Sequence, residues 1–324
     1  MTTNQILLAI AAGLIAAVVF ASATTGPMFV RLVLYFLTPL SLYLVGLGIA
    51  PAAASIAAIV ATLAILVMTN PLAALVFAAS AAAPATLTTR LALLGRQENG
   101  EVVEWYPLGR ILFAAALFAG LFAAIAITML GTDLAAVTKA MKALVESFVK
   151  TELASLPGNK PMTDPEISAV ATRVLTLMPI TLAALSLITT LLNLWLAGRI
   201  TRASGRLVRP WPDISTIAMP PVATIFLLAA LLLAFVNGVI GLAAGGFAGA
   251  LFLAFAVVGL VIAHHMTRSS PWRGFILATL YAGLLFLTPA VVLVLAIAGL
   301  ADTIFSFRNG RHNTPSGPQR PPTP

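Results

Sequence analysis

Of the 324 residues, 60% are hydrophobic and only 9% are charged, with a mean hydropathy of +1.04. A soluble domain carries about 25% charged residues, so this composition excludes a soluble fold and makes the bilayer the chain's solvent. The formal charge of +8 comes from arginines at span ends and in the tail, which fits orientation and anionic lipid rather than nucleic acid, and the lack of cysteine removes disulfides, thiolate metal sites and cysteine nucleophiles.

The first apolar run, 5–23, is long enough to cross. It lacks a basic leader and further spans follow at once, so it reads as a retained helix rather than a signal peptide. Ala9, Gly13, Ala17 and Ala21 form a small-residue stripe on it. Such a stripe lets helix backbones approach closely, either on a partner subunit or inside the chain. A turn at 24–27 leads to a second span, 30–49, with Arg31 at its mouth and Pro39 inside. The third span is 51–68. Asn70–Pro71 punctuates, because the residue before a proline avoids helix. The fourth span, 72–94, is broken by Pro84; a proline inside a span removes one backbone bond and kinks the helix. The polar stretch 95–107, with Glu98, Glu101 and Glu104, reads as a solvated loop, and 108–130 is the fifth span.

Residues 132–164 are the one sizeable polar segment. Leu134, Val137, Met141, Leu144, Val145 and Phe148 recur at helical spacing, with Lys139, Lys142, Glu146 and Lys150 mostly on other faces. This predicts an amphipathic helix at the membrane surface, as a float on the headgroups or as a lid over a cavity. Pro157–Gly158 ends it. Thr163 and Glu166 then have the spacing of a capping box, which starts a helix that runs into the sixth span, about 173–197. The next loop holds Arg199, Arg202, Arg206 and Arg209 against one acid, Asp213. Arginine stays cytoplasmic during insertion, so these four are read as the residues that set topology. The seventh span is 217–236. Asn237–Gly238 and Gly245–Gly246 bracket a turn, and 247–265 is the eighth span. It ends in His264 and His265, which point about 100° apart on a helix and so cannot easily share one metal. The last run, 275–301, is either one tilted helix or two halves bent at Pro289. The tail, 309–324, is rich in Pro, Ser, Thr and Asn and reads as disordered.

The sum is an all-α polytopic transmembrane helix bundle of about eight to ten segments plus one amphipathic surface helix. Residues 1–308 form a single domain, with 132–164 as an extracytoplasmic insertion. Topology has one conflict. With the arginine loop and the N-terminus inside, nine full crossings put Arg308 and Arg311 outside, against the positive-inside rule. A bent hairpin at the end, or one earlier run that does not cross, removes it.

Polar groups inside spans are default site candidates. Thr189, Thr190 and Asn193 lie within one turn of the sixth span, as the lining of a polar cavity or as an interhelical hydrogen bond. Asn237, Arg31 and Asp302 lie near span ends. No zinc-protease, P-loop or serine-hydrolase motif occurs, and no embedded carboxylate pair, so the chain reads as no enzyme and needs no cofactor or metal. Asp302 and Arg308 are six residues apart and face each other only if the helix breaks after Thr303 or Phe305.

Gly299, Leu300, Asp302, Phe305 and Arg308 close the last run as Gly-Leu-x-Asp-x-x-Phe-x-x-Arg. This ending, from Pro271 to Arg308, resembles that of the YybS-like family of bacterial membrane proteins (DUF2232). That family is thought akin to the substrate-capturing subunits of energy-coupling-factor vitamin transporters, which dock a coupling partner through small residues on their first helix. The resemblance implies a multi-pass protein of the bacterial cytoplasmic (inner) membrane, with the lipid bilayer and a membrane protein as partners. It also implies a transport-related subunit binding a small molecule within the bundle, with Asp302 and Arg308 among the candidate ligand-binding residues. The alternative is a non-transporting scaffold of the cell envelope.

Overall fold

The structure is a computed structural model that describes residues 1–23, 26–97, 103–153, 162–306 and 308. The expected loop carboxylates Glu98 and Glu101, the helix stop at Pro157–Gly158, Arg311 and the tail lie outside the described residues, as does part of the turn after the first span. Among the described residues, eight helices are long and apolar enough to cross a membrane.

Helix starts follow local chemistry. In α1 (Thr3–Ser22), Thr2 and Gln5 form a capping box, with Thr2 N donating to Gln5 Oε1 at 2.9 Å and Gln5 N to Thr2 Oγ1 at 3.3 Å. The second span is two helices, α2 (Met28–Leu37) and α3 (Leu40–Gly48), parted at Thr38–Pro39 as the missing proline N–H requires. α4 (Pro51–Met68) and α5 (Pro71–Phe77) both open on a proline, and Asn70 caps α5 through the Ala73 N–H at 2.8 Å. A π-helical turn, Ala78–Ala82, then widens the helix just before Pro84 in α6 (Ala83–Ala92). The following loop pairs two short strands antiparallel, β1 (Gly95–Arg96) and β2 (Glu104–Trp105).

α7 (Leu108–Leu130) leads to α8 (Leu134–Phe148), capped by Asp133 on the Ala136 N–H at 2.8 Å. α9 (Asp164–Ala203) starts at the capping box read in the sequence, with Glu166 Oε2 accepting from Thr163 N at 2.7 Å. At 40 residues α9 extends about 60 Å, twice the hydrocarbon thickness of about 30 Å. Its first part packs against the amphipathic helix α8. α8 does not float on lipid alone: Val137, Met141 and Val145 are buried against Ile127, Ile167, Ala171 and Leu175. Only Leu134, Leu144 and Phe148 of its apolar set remain exposed.

The seventh span contains a shorter helix than expected, α10 (Val222–Ala234), after Pro220–Pro221. α11 (Val239–Met266) begins right after Gly238, which has φ +95°, a conformation open to glycine. Gly245 and Gly246 thus lie inside α11 rather than in a turn, and Gly246 packs on Ala123 and Pro179. The last run is two helices, α12 (Arg273–Phe286) and α13 (Thr288–Phe305), broken before Pro289.

Loop contacts fix which ends lie together. Arg209 joins the ends of α6 and α7 to the arginine loop, through the carbonyls of Ala92 (3.0 Å) and Tyr106 (3.1 Å). Gly109 of α7 lies against Ala218, and at the opposite end Val239 packs into the cluster beneath α8. The stretch holding α10 therefore runs from one end of the bundle to the other. α11 and α13 meet where Gly259 and Gly299 let the backbones touch. Nine residues beyond Gly259, Arg268 pairs with Asp213 at 3.7 Å. Nine residues beyond Gly299, Arg308 reaches the carbonyls of Ser215 and Ile217. Equal spacing to one short loop means that the two helices run in the same direction. α12 must then turn back, and Gly283 lies against Val291 across the break. The last run is a helical hairpin that leaves and returns at the arginine end, so the topological conflict disappears.

Three cores hold the bundle. One joins α1, α3, α4, α5 and α6; a second joins α7, α9, α10, α11 and α13; the third lies beneath α8.

Candidate functional site

The break between α2 and α3 organises the polar centre of the bundle. It frees the Phe36 carbonyl from the helical ladder, and Asn193 Nδ2 donates to it at 2.6 Å and to the Thr189 carbonyl at 2.7 Å. Beside it, Thr88 Oγ1 lies 3.2 Å from the Tyr43 hydroxyl, which Thr190 also contacts. Thr189, Thr190 and Asn193 are all buried, with Ser186 one turn before them. The structure thus brings the three predicted residues together, but as a packed cluster. Neither of two cavities in the protein is lined by them. Asn193→Leu is expected to destabilise the fold by about 1–3 kcal/mol, because the part-buried Phe36 carbonyl loses its side-chain donor. Thermal unfolding in detergent checks this; an unchanged melting temperature counts against the bond.

The two cavities are of different kinds. One, about 450 Å³, lies between α4 and α6, with Ser55, Thr62 and Thr86 on its wall. The hydroxyls of Thr62 and Thr86 donate to carbonyls of their own helices, which leaves them only as acceptors toward the cavity. The other, about 680 Å³, lies between α8 and the projecting start of α9. Ala135 and Ala171 contribute to its apolar wall, and Thr138, Ser168, Thr172, Lys139 and Lys142 its polar groups. Lys142 also stands 3.9 Å from Glu146 and 4.0 Å from Asp164. Sequence reading left α8 as a float on the headgroups or a lid over a cavity and started a helix at Thr163, but could not see that the start of this helix faces α8 across the cleft.

Asp302 and Arg308 meet because the helix breaks after Phe305: Ser306 is left-handed, with φ 51°. The guanidinium donates to Asp302 Oδ2 at 3.0 Å (Nε) and 2.7 Å, and to the carbonyls of Ser215 (2.7 Å) and Ile217 (2.6 Å). All of its reach is directed at this chain, so the pair is a clasp between α13 and the arginine loop. Among the described residues it shares no hydrogen-bond partner with the Asn193 cluster, and the candidate ligand-binding residues divide into two groups.

The small-residue stripe on α1 packs inside this chain, one of the two uses its sequence left open. Ala9, Gly13 and Ala17 are buried, with Ala21 only partly covered, and Gly13 lies on the backbone of Ala57 in α4. The α4 face that fills it is Ala53, Ala54, Ala57, Ala58 and Ala61. In lipid such seams hold by close packing, and this one is used inside the chain rather than offered to a partner helix. The outward face of α1, with Leu7, Leu14 and Ile15 exposed, is the ordinary lipid face.

Three of the four arginines of the loop have aromatic partners that sequence reading missed. Arg199 lies over Trp195 and Trp211 (5.9 and 5.7 Å), Arg202 over Trp211 (5.3 Å) and Arg209 over Trp105 (5.8 Å). Arg206 is exposed. Trp105 and Trp211, in otherwise polar loops, were the available signal. Asp213 holds the turn below: hydrogen bonds from the Ser215 hydroxyl and N–H, with Arg268 nearby, lower its pKa from the ordinary carboxylate value. A depressed folded value means that this contribution is present above the unfolded pKa and lost as pH falls through the folded one. Hydrogen exchange at Ser215 is therefore expected to accelerate in acid; a rate flat below the carboxylate range, after correction for intrinsic exchange, would remove Asp213 from this role. His264 bonds to the Leu260 carbonyl (2.9 Å) and the Tyr281 hydroxyl (3.2 Å), whereas His265 is exposed, so the two do not act as a unit.

Long apolar helices joined by charged loops, with alanine seams for packing, define a polytopic α-helical membrane protein. Residues 14–303 match the family described as predicted membrane protein (DUF2232), and the chain belongs to that family. The match takes in Asp302 and stops short of Arg308. No curated protein and no solved structure matches the chain.

Proposed function

We propose that this protein is a transport-related membrane subunit that captures a small molecule and is not itself an enzyme. The cleft between α8 and α9 carries the reading. At about 680 Å³ it has the size of a small-molecule site, with an apolar wall and a few polar groups. The resemblance to YybS-like proteins, and through them to energy-coupling-factor subunits, supports a capturing role as analogy. The buried α1 seam means that a coupling partner would have to dock elsewhere.

Orientation is part of the proposal. Arg96, Arg209, Arg268 and Arg308 lie at the end that carries Arg199, Arg202 and Arg206, whereas the α8 end mixes lysines with Asp133, Glu146, Asp164 and Glu166. The positive-inside rule then puts the arginine end and the N-terminus in the cytoplasm of a bacterial inner membrane, and the cleft outside. A reporter fused at Gly205 is expected to respond only on the cytoplasmic side; an external signal overturns the orientation.

The capture reading is tested by purification from native membranes with mass spectrometry of retained molecules. A metabolite retained by the natural protein and reduced at least about tenfold by Thr138→Trp, a substitution that fills the cleft from an exposed position, is the expected result. A second reading, a cell-envelope scaffold, is favoured by the place of the buried Asn193 cluster outside both cavities. Stoichiometric proteins with no retained metabolite would support it and sink the first.

A further inference from the structure

Four threonine hydroxyls on α9 follow one pattern. Thr172, Thr176, Thr181 and Thr201 each donate to the carbonyl one turn back, at 3.0, 3.0, 3.0 and 2.7 Å. That is how a helix satisfies its own hydroxyls where no water is at hand. Thr190 is engaged with Tyr43. Ser186 Oγ and Thr189 Oγ1 are buried and, among the described residues, meet no hydrogen-bond partner. Asn193 Oδ1 is in the same condition, because the amide nitrogen is committed to two carbonyls. Turning the amide over would set its oxygen against those carbonyls, so its orientation is determined. The three residues are 1%, 4% and 0% exposed, so bulk solvent does not serve them.

Positions 186, 189 and 193 fall within an arc of about 60° on the helix and span about 10 Å of its length. One ion cannot touch all three, but a short file of small guests can. The chemistry of the donors narrows the guest. Asn193 Oδ1 only accepts, so the guest must bring a proton or positive charge to it. The two hydroxyls bring protons of their own, which need acceptors. A metal cation meets the first demand and not the second, whereas water meets both and makes two to four hydrogen bonds when buried.

We propose that Ser186, Thr189 and Asn193 bind a file of internal water along α9, beside the break between α2 and α3. This site is separate from the α8–α9 cleft and does not depend on its function. The first test is a high-resolution map of the unaltered protein in lipid nanodiscs, where ordered density within hydrogen-bond distance of Asn193 Oδ1 and Thr189 Oγ1 is expected. The second compares Ser186→Ala and Thr189→Val, which delete the hydroxyls with little change in volume. A hydrated file loses a partner with each, and the melting temperature falls by about 2 °C or more. Orphaned hydroxyls predict the reverse, since their removal relieves a buried polar group. Raised or unchanged melting temperatures, or a well-resolved map without that density, overturn the proposal. A melting temperature of the unaltered protein that rises with sodium in place of choline also overturns it, in favour of a cation. The map keeps the question decidable if either variant fails to fold.

Discussion

Gly259→Val is expected to abolish the native packing of the last hairpin, at a cost of at least about 3 kcal/mol. This exceeds the usual penalty of overpacking because backbone, not a side chain, occupies the space. A Cβ at Gly259 would run into the Leu295 carbonyl, and one at Gly299 into the carbonyl of Phe255. Neither helix can yield locally, since α11 is also packed on α7, α9 and α10. Gly245, also in α11, would place a Cβ with no neighbour within 4 Å and is the matched control. Gly245→Ala should leave thermal unfolding near that of the natural protein, while Gly259→Val and Gly299→Val lower yield and melting temperature together. If all three behave alike, the close contact between α11 and α13 is not what holds the hairpin.

Asp302→Ala is expected to cost about 3 kcal/mol, the scale for stripping one partner from a buried ion pair. Asp302 is 6% exposed, and the Arg308 side chain 14%. The reciprocal change, Arg308→Ala, leaves a buried carboxylate and releases the Ser215 and Ile217 carbonyls as well. The paired replacement Asp302→Leu with Arg308→Met should recover part of the loss, because the desolvation cost of both charges is removed with them. Thermal unfolding of the four proteins gives the coupling directly. An Asp302→Ala protein with unchanged expression and melting temperature would mean that the clasp contributes nothing to the fold.

Several features were legible from local signals. The prolines at 39, 84 and 289 lie at a break, just after a widened turn and at a second break, because a missing N–H acts on its own helix. Thr163 and Glu166 mark the start of α9 for the same reason. The six-residue spacing of Asp302 and Arg308 called for a break, and Ser306 supplies it. Gly245–Gly246 misled, because a glycine pair in water reads as a turn while in this bundle Gly246 serves a close helix contact. The surface helix was legible as amphipathic, but the wall that buries half of its apolar face lies on another helix.

The letters alone determined that the chain lives in lipid, which prolines could interrupt its helices and which loop gathers the arginines, since each depends on neighbours along the backbone. They could not determine which faces meet. A lipid tail and a protein interior are equally apolar, so hydropathy does not distinguish the α1 seam from a lipid face. Only the assembled bundle assigned Ala57 to Gly13, Phe36 to Asn193, Trp211 to Arg199 and the loop carbonyls to Arg308. Those pairings rest on shape and hydrogen-bond geometry between distant segments, and no local pattern encodes them.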